Sequence, residues 1–84
     1  MKLSISSNAV KLLLSAGVTL PIVGELNANA VERGFGISHS AACDRETALT
    51  LASHLDNIAT ESTSNARRDA LNGARACRRF ARKA

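Results

Sequence analysis

The last nineteen residues, Ala66 to Ala84, constrain the fold most. They read ARRDALNGARACRRFARKA and contain seven of the eleven basic residues of the chain: Arg67, Arg68, Arg75, Arg78, Arg79, Arg82 and Lys83. At about 100° per residue these seven fall within an arc of roughly 160° on a helical wheel. The opposite arc collects Ala66, Ala70, Gly73, Ala74, Ala76, Cys77, Phe80 and Ala81. Only Leu71, inside the basic arc, and Asp69, inside the small arc, break the division. Such a segment predicts a helix with one face for close packing and one face for a negatively charged partner.

The charge belongs to this segment. Residues 66–84 carry seven cations and one anion, whereas residues 1–65 carry four cations and six anions. The chain as a whole is +4, but its field is local, and a local field steers a partner to one side of a molecule. Three partner classes fit a basic face: nucleic acid, an acidic protein surface and an anionic membrane.

Eighty-four residues make one small domain, spanning 1–84. A chain of this size buries only about 60–65% of its unfolded surface. Hydrophobic content of 45% is that of a globular domain rather than a disordered tail. Phe35 and Phe80 are the only aromatics, and the abundant alanine favours closely approached helices over a sheet core. No apolar run approaches the 18 residues or so of a membrane span.

Along the chain, Met1 to Ile5 reads as a short strand or a lead-in. Ser6 or Ser7 caps a first helix over Asn8 to Ala16, with Ala9, Leu12, Leu13 and Ala16 on one face. Gly17 suits the residue after its C-cap, with Val18 as the apolar contact that follows. Pro21 opens a second helix. Ile22, Val23, Leu26, Ala30 and Val31 make a stripe that carries this helix to Arg33, with Gly34 ending it. Asp44 caps a third helix whose stripe is Ala48, Leu51, Ala52, Leu55, Ile58 and Ala59. The polar run Thr60 to Asn65 is a turn, and the last helix starts near Asn65 or Ala66. The expected fold is all-α, a small bundle of about four short helices. One minor β feature is allowed, a two-stranded ribbon pairing residues 2–5 with 35–38.

Candidate chemistry is sparse. His39, Cys43, His54 and Cys77 are residue types that ligate zinc, but only His39 and Cys43 have a plausible local spacing. A loop histidine, a boundary histidine and two small buried thiols describe the four better, so no metal and no cofactor are expected. Cys43 and Cys77 are too few for a disulfide scaffold, although one bridge between the last two helices is conceivable. The pairs His39-Ser40 and Ser53-His54 have no carboxylate placed to orient the imidazole. No nucleophile elbow, paired carboxylates or glycine-rich phosphate loop occurs, and the chain is not expected to be an enzyme.

The basic face therefore carries the functional expectation. Seven like charges on one arc repel one another, and six of them are arginine, suited to forked contacts with phosphate and carboxylate. Glu25, Glu32, Glu46 and Asp56 are the internal acids able to use up part of that charge. The leading expectation is a small non-enzymatic binding protein that occupies an acidic surface of a protein partner or nucleoprotein complex, as an inhibitor or adaptor. In size, helicity and lack of catalytic motifs it is similar in type to small phage- or plasmid-encoded inhibitors, anti-CRISPR proteins among them; no residue motif carries that likeness.

Direct duplex nucleic-acid binding by the same face is the alternative, with Asn72 beside the arginines. The apolar arc is mostly alanine, too small to anchor a helix on a membrane. A further alternative is secretion, with residues 1–30 as a cleaved signal peptide. Lys2 and Lys11 make its basic start, Leu12 to Val23 its apolar stretch and Ala28-Asn29-Ala30 its small-x-small site. Ser15, Gly17 and Thr19 dilute that stretch and Glu25 follows it, so a cytoplasmic protein is expected.

Overall fold

The computed structural model describes all residues, 1–84. In chain order its elements are β1 (Lys2–Ser6), α1 (Ser7–Ser15), α2 (Pro21–Ala28), β2 (Ala30–Arg33), β3 (Gly36–Ala42), α3 (Arg45–Glu61) and α4 (Ser64–Lys83). Four helices hold 64% of the residues and a three-stranded antiparallel sheet holds 19%, so the fold is α+β and the all-α expectation is overturned. The sheet order is β1-β3-β2.

The expected ribbon of residues 2–5 with 35–38 is likewise corrected. β1 pairs further along, Lys2 with Ala42, Leu3 with Ala41 and Ile5 with His39. Residues 36–39 pair on their other side with β2, Arg33 facing Gly36 and Ala30 facing His39, and only Ser38 and His39 are shared with β1. The second helix stops at Ala28, and Asn29 leaves helical geometry at φ −109° and ψ 51°. Ala30 and Val31 fitted the helical stripe by spacing, yet all four β2 residues are exposed. Pairing with β3 overrides the helix preference of Ala30, whereas β-branched Val31 suits a strand. Gly34 does not end a helix. It adopts φ +50° at the first position of a two-residue hairpin loop, where glycine is favoured.

The helix ends follow local chemistry. Ser6 Oγ accepts from the Ala9 amide at 3.2 Å and caps α1. α1 closes in a Schellman motif: Gly17 at φ +75° donates to the Leu14 carbonyl, and the Val18 amide to the Leu13 carbonyl, both at 3.1 Å. Asp44 Oδ1 accepts from the Thr47 amide at 2.8 Å and caps α3. Hydrogen bonds from Thr47 hold the Asp44 carboxyl below its usual pKa. The cap is therefore intact above that usual range and lost as pH falls through the lowered value.

One core of 19 residues joins sheet and helices. Leu3, Ile5 and Ala41 enter it from the sheet, while Ser4, Ser6, Ser38 and Ser40 lie on the other face. α3 contributes Ala48, Leu51, Ala52, Leu55 and Ala59. α4 contributes Ala70, Gly73, Ala74, Cys77, Phe80 and Ala81, the small arc read from the sequence. Its largest interface is with α3, and it also packs on α1 and β1.

Gly73 sets the distance of that packing. A Cβ there would lie 3.0 Å from Ala9 Cβ on α1 and 3.0 Å from a Leu55 methyl on α3. Ala9 Cβ is fixed to its backbone and cannot give way without moving α1. Gly24, within α2, has nothing within 4 Å of such a Cβ.

Gly73→Ala is expected to lose about 1 kcal/mol of stability, since overpacking costs roughly 1–3 kcal/mol and the gain in helix propensity is at most about 1 kcal/mol. Gly24→Ala is expected to gain about 0.5–1 kcal/mol. Urea denaturation measures both; a Gly73→Ala chain as stable as its parent would remove close approach as the constraint on α4.

Candidate binding interface

α4 presents its charge where the wheel placed it. All seven cations are exposed, and every buried residue of the helix lies on the small arc. Arg82 and Lys83 occupy the last turn, where cations meet the negative end of the helix dipole. From Arg68 to Lys83 the face spans about 22 Å at 1.5 Å per residue.

The structure divides these cations by the edge of the arc they occupy. Arg67 and Arg78 border α3 and have partners there. The Arg67 Nε–H donates to the Ala59 carbonyl at 3.2 Å, satisfying a terminal acceptor of α3. Arg78 forms a forked pair with Asp56, Nη1 donating to Oδ1 at 3.4 Å and Nη2 to Oδ2. The hydrogen bond to Asp56 raises the Arg78 pKa still further. This is the sole ion pair of the chain; of the four internal acids able to use up the charge, Asp56 does so, and Glu25, Glu32 and Glu46 pair with none of the seven. Arg68, Arg75, Arg79, Arg82 and Lys83 have no internal hydrogen-bond partner.

Crowding seven cations on one arc has a cost. Positions 75 and 78, 75 and 79, 78 and 82, 79 and 82, and 79 and 83 are like-charge neighbours at helical spacing. At a few tenths of a kcal/mol each, the five pairs cost roughly 1–2 kcal/mol. Asp56 offsets this only at Arg78.

The fold adds two cations from outside α4. Arg45, at the start of α3, lines a concavity of about 400 Å³ with Arg78, Arg82, Leu49 and Ala81. Arg33, at the end of β2, lines a second concavity of about 390 Å³ with Asn72 and Ala76. They flank α4 on opposite sides, so the basic surface is wider than one helix. Local sequence carries no sign of this, because neither residue lies in a basic run. Leu49 is 41% exposed within the first concavity, giving that end an apolar floor ringed by three arginines.

The histidines and cysteines do not gather. His39 is buried in β3, and its Nδ1–H donates to the Leu26 carbonyl at 2.7 Å. It thereby satisfies a terminal acceptor of α2, so it is a strand residue with a structural bond rather than the expected loop histidine. His54 is half-buried on α3. Both thiols are free, Cys43 half-buried and Cys77 buried. Burial pushes the Cys77 thiol up to about 12. Burial, with the neighbouring Asp44 carboxylate, raises Cys43 as well. No helix is long and apolar enough to cross a membrane. Comparisons with protein-family models, curated proteins and solved structures found no match to this chain.

Because the thiolate is the reactive form, a chromogenic disulfide reagent near neutral pH should titrate Cys43 slowly and Cys77 only on unfolding. Rapid reaction of two thiols in the native chain would contradict the burial of Cys77. Asp56→Asn should cost at most a few tenths of a kcal/mol, because the pair is solvent-exposed, while releasing Arg78 to the unpaired set. A loss of several kcal/mol in urea denaturation would show the pair to be structural.

Proposed function

We propose that this chain is a small non-enzymatic binding protein that uses α4 to occupy an acidic surface of a protein partner, as an inhibitor or adaptor. One observation carries the reading: five cations of one rigid helix face solvent with no internal partner, at a repulsive cost that the fold offsets only at Arg78. A helix locked by its small face onto α1 and α3 loses little further freedom when it binds, which favours affinity.

A protein partner is preferred to nucleic acid because of the concavity at Leu49 and Ala81. An apolar floor rimmed by Arg45, Arg78 and Arg82 suits an interface with a hydrophobic centre and a charged border. Duplex nucleic acid is the second reading, favoured by Asn72, whose exposed amide lies beside the unpaired cations and has both donor and acceptor for base edges. A cytoplasmic site of action belongs to the same proposal. Residues 1–30 supply eight of the 19 core residues, among them Leu3, Leu13 and Leu26, which a chain starting at Val31 would lack.

The test is affinity capture with the parent chain and with Arg75→Gln/Arg79→Gln/Arg82→Gln as baits, each with and without nuclease. A partner held by the parent, unaffected by nuclease, should be lost from the variant, whose circular dichroism is unchanged and whose melting temperature is no lower, because neutralisation also relieves the repulsion along α4. Capture that survives neutralisation refutes the proposal. Capture abolished by nuclease transfers the function to nucleic acid, and the affinity for random duplex DNA should then fall steeply with salt.

A further inference from the structure

We propose that the free edge of β2 pairs with β2 of a second copy of this chain, antiparallel and centred on Val31, joining two three-stranded sheets into one of six strands. This inference stands independently of the partner that α4 meets.

β2 is an open edge. β3 lies between it and β1, and β1 is packed by α4, whereas β2 packs on β3. All four of its residues are exposed. A two-stranded hairpin is marginal alone, and this one carries unusual apolar exposure. Of the six exposed large hydrophobic residues in the chain, Val31, Phe35 and Ile37 are on it, and Phe35 is fully exposed. The edge is short and carries Glu32 and Arg33, two charges of opposite sign, but it contains no proline, lysine or bulge.

The backbone fixes which groups are available. The Ser40 amide donates to the Asn29 carbonyl at 3.3 Å, and Arg33 faces Gly36 across the two-residue loop. Alternation along an antiparallel ladder then turns Asn29, Val31 and Arg33 toward β3 and leaves the N–H and C=O of Ala30 and Glu32 pointing outward. A two-fold axis perpendicular to the sheet requires one residue to face its own copy. Centring on Glu32 opposes two carboxylates, which is unfavourable. Centring on Val31 opposes valine to valine, Ala30 to Glu32 of the second copy, and Asn29 to Arg33 of the second copy. No like charges are then directly opposed, and the outward groups of Ala30 and Glu32 form four N–H···O bonds. Continued along the chain, the same register brings Phe35 toward Asn27 and Ala28, the exposed end of α2, in the other copy. The same axis keeps the helices of both copies on one side of the joined sheet.

Light scattering on a sizing column, from about 10 µM to 1 mM, should give a mass rising toward twice 8.8 kDa. Val31→Lys should stay monomeric with unchanged circular dichroism and melting. In a Cys43→Ser background, Val31→Cys should form an interchain disulfide under oxidised glutathione, because a non-hydrogen-bonded pair brings the two Cα atoms to about 4.5 Å; Glu32→Cys should not. A parent chain that is monomeric throughout overturns the proposal and leaves the edge to a strand of another protein. Equal cross-linking of both cysteine variants, or a Val31→Lys chain that still dimerises, overturns the pairing as well.

Discussion

The close approach of α4 to α1 and α3 at Gly73 is the contact on which the rest depends. With no Cβ at this position, Ala9 and Leu55 meet the helix backbone directly. Ala70, Ala74, Cys77 and Ala81 then fall into register along the same seam. A side chain at Gly73 would push α4 outward and open a gap beneath each of them, and voids of that kind forfeit dispersion contacts along their whole lining. Small residues make this interface tight, and tightness makes the helix a rigid platform.

That rigidity decides what the charges do. A helix held by one seam cannot rotate to bring its cations to the acids of the chain. Each position around the arc therefore has a fixed fate. Arg67 and Arg78 lie on the edge beside α3 and find the Ala59 carbonyl and Asp56. Arg68, Arg75, Arg79, Arg82 and Lys83 are exposed and form no ion pair. The seven cations are one class in the sequence and two classes in the fold. Arg33 and Arg45 join the second class from elements distant in the chain.

The helical part of the fold was legible because its signals are local. Ser6 and Asp44 cap the helices that follow them, and Gly17 closes α1 with Val18 as its apolar contact. The sheet was missed where competing signals overlapped. Ala30 and Val31 continue the spacing of Ile22, Val23 and Leu26, so the run reads as one helix. Asn27 and Asn29 were the residues arguing for an end at Ala28, both being weak helix formers. β1 and β3 did carry a strand signal. Leu3 and Ile5 alternate with Ser4 and Ser6, and Ile37, His39 and Ala41 alternate with Ser38 and Ser40. With serine and alanine in place of the usual branched residues, that alternation is faint, and its meaning came from a partner strand about 35 residues away.

The sequence by itself determined the two-faced character of α4, the chemistry of the helix caps and the confinement of positive charge to one element. Each depends on residues within a few positions of one another, where helical spacing fixes which side chains share a face. Only the tertiary structure decided that residues 30–42 form a hairpin, that β1 joins it, that His39 serves the Leu26 carbonyl, and which cations remain unpaired. Those outcomes rest on contacts between distant segments, whose ladder hydrogen bonds and side-chain packing outweigh the weak local preferences of alanine, serine and glutamate.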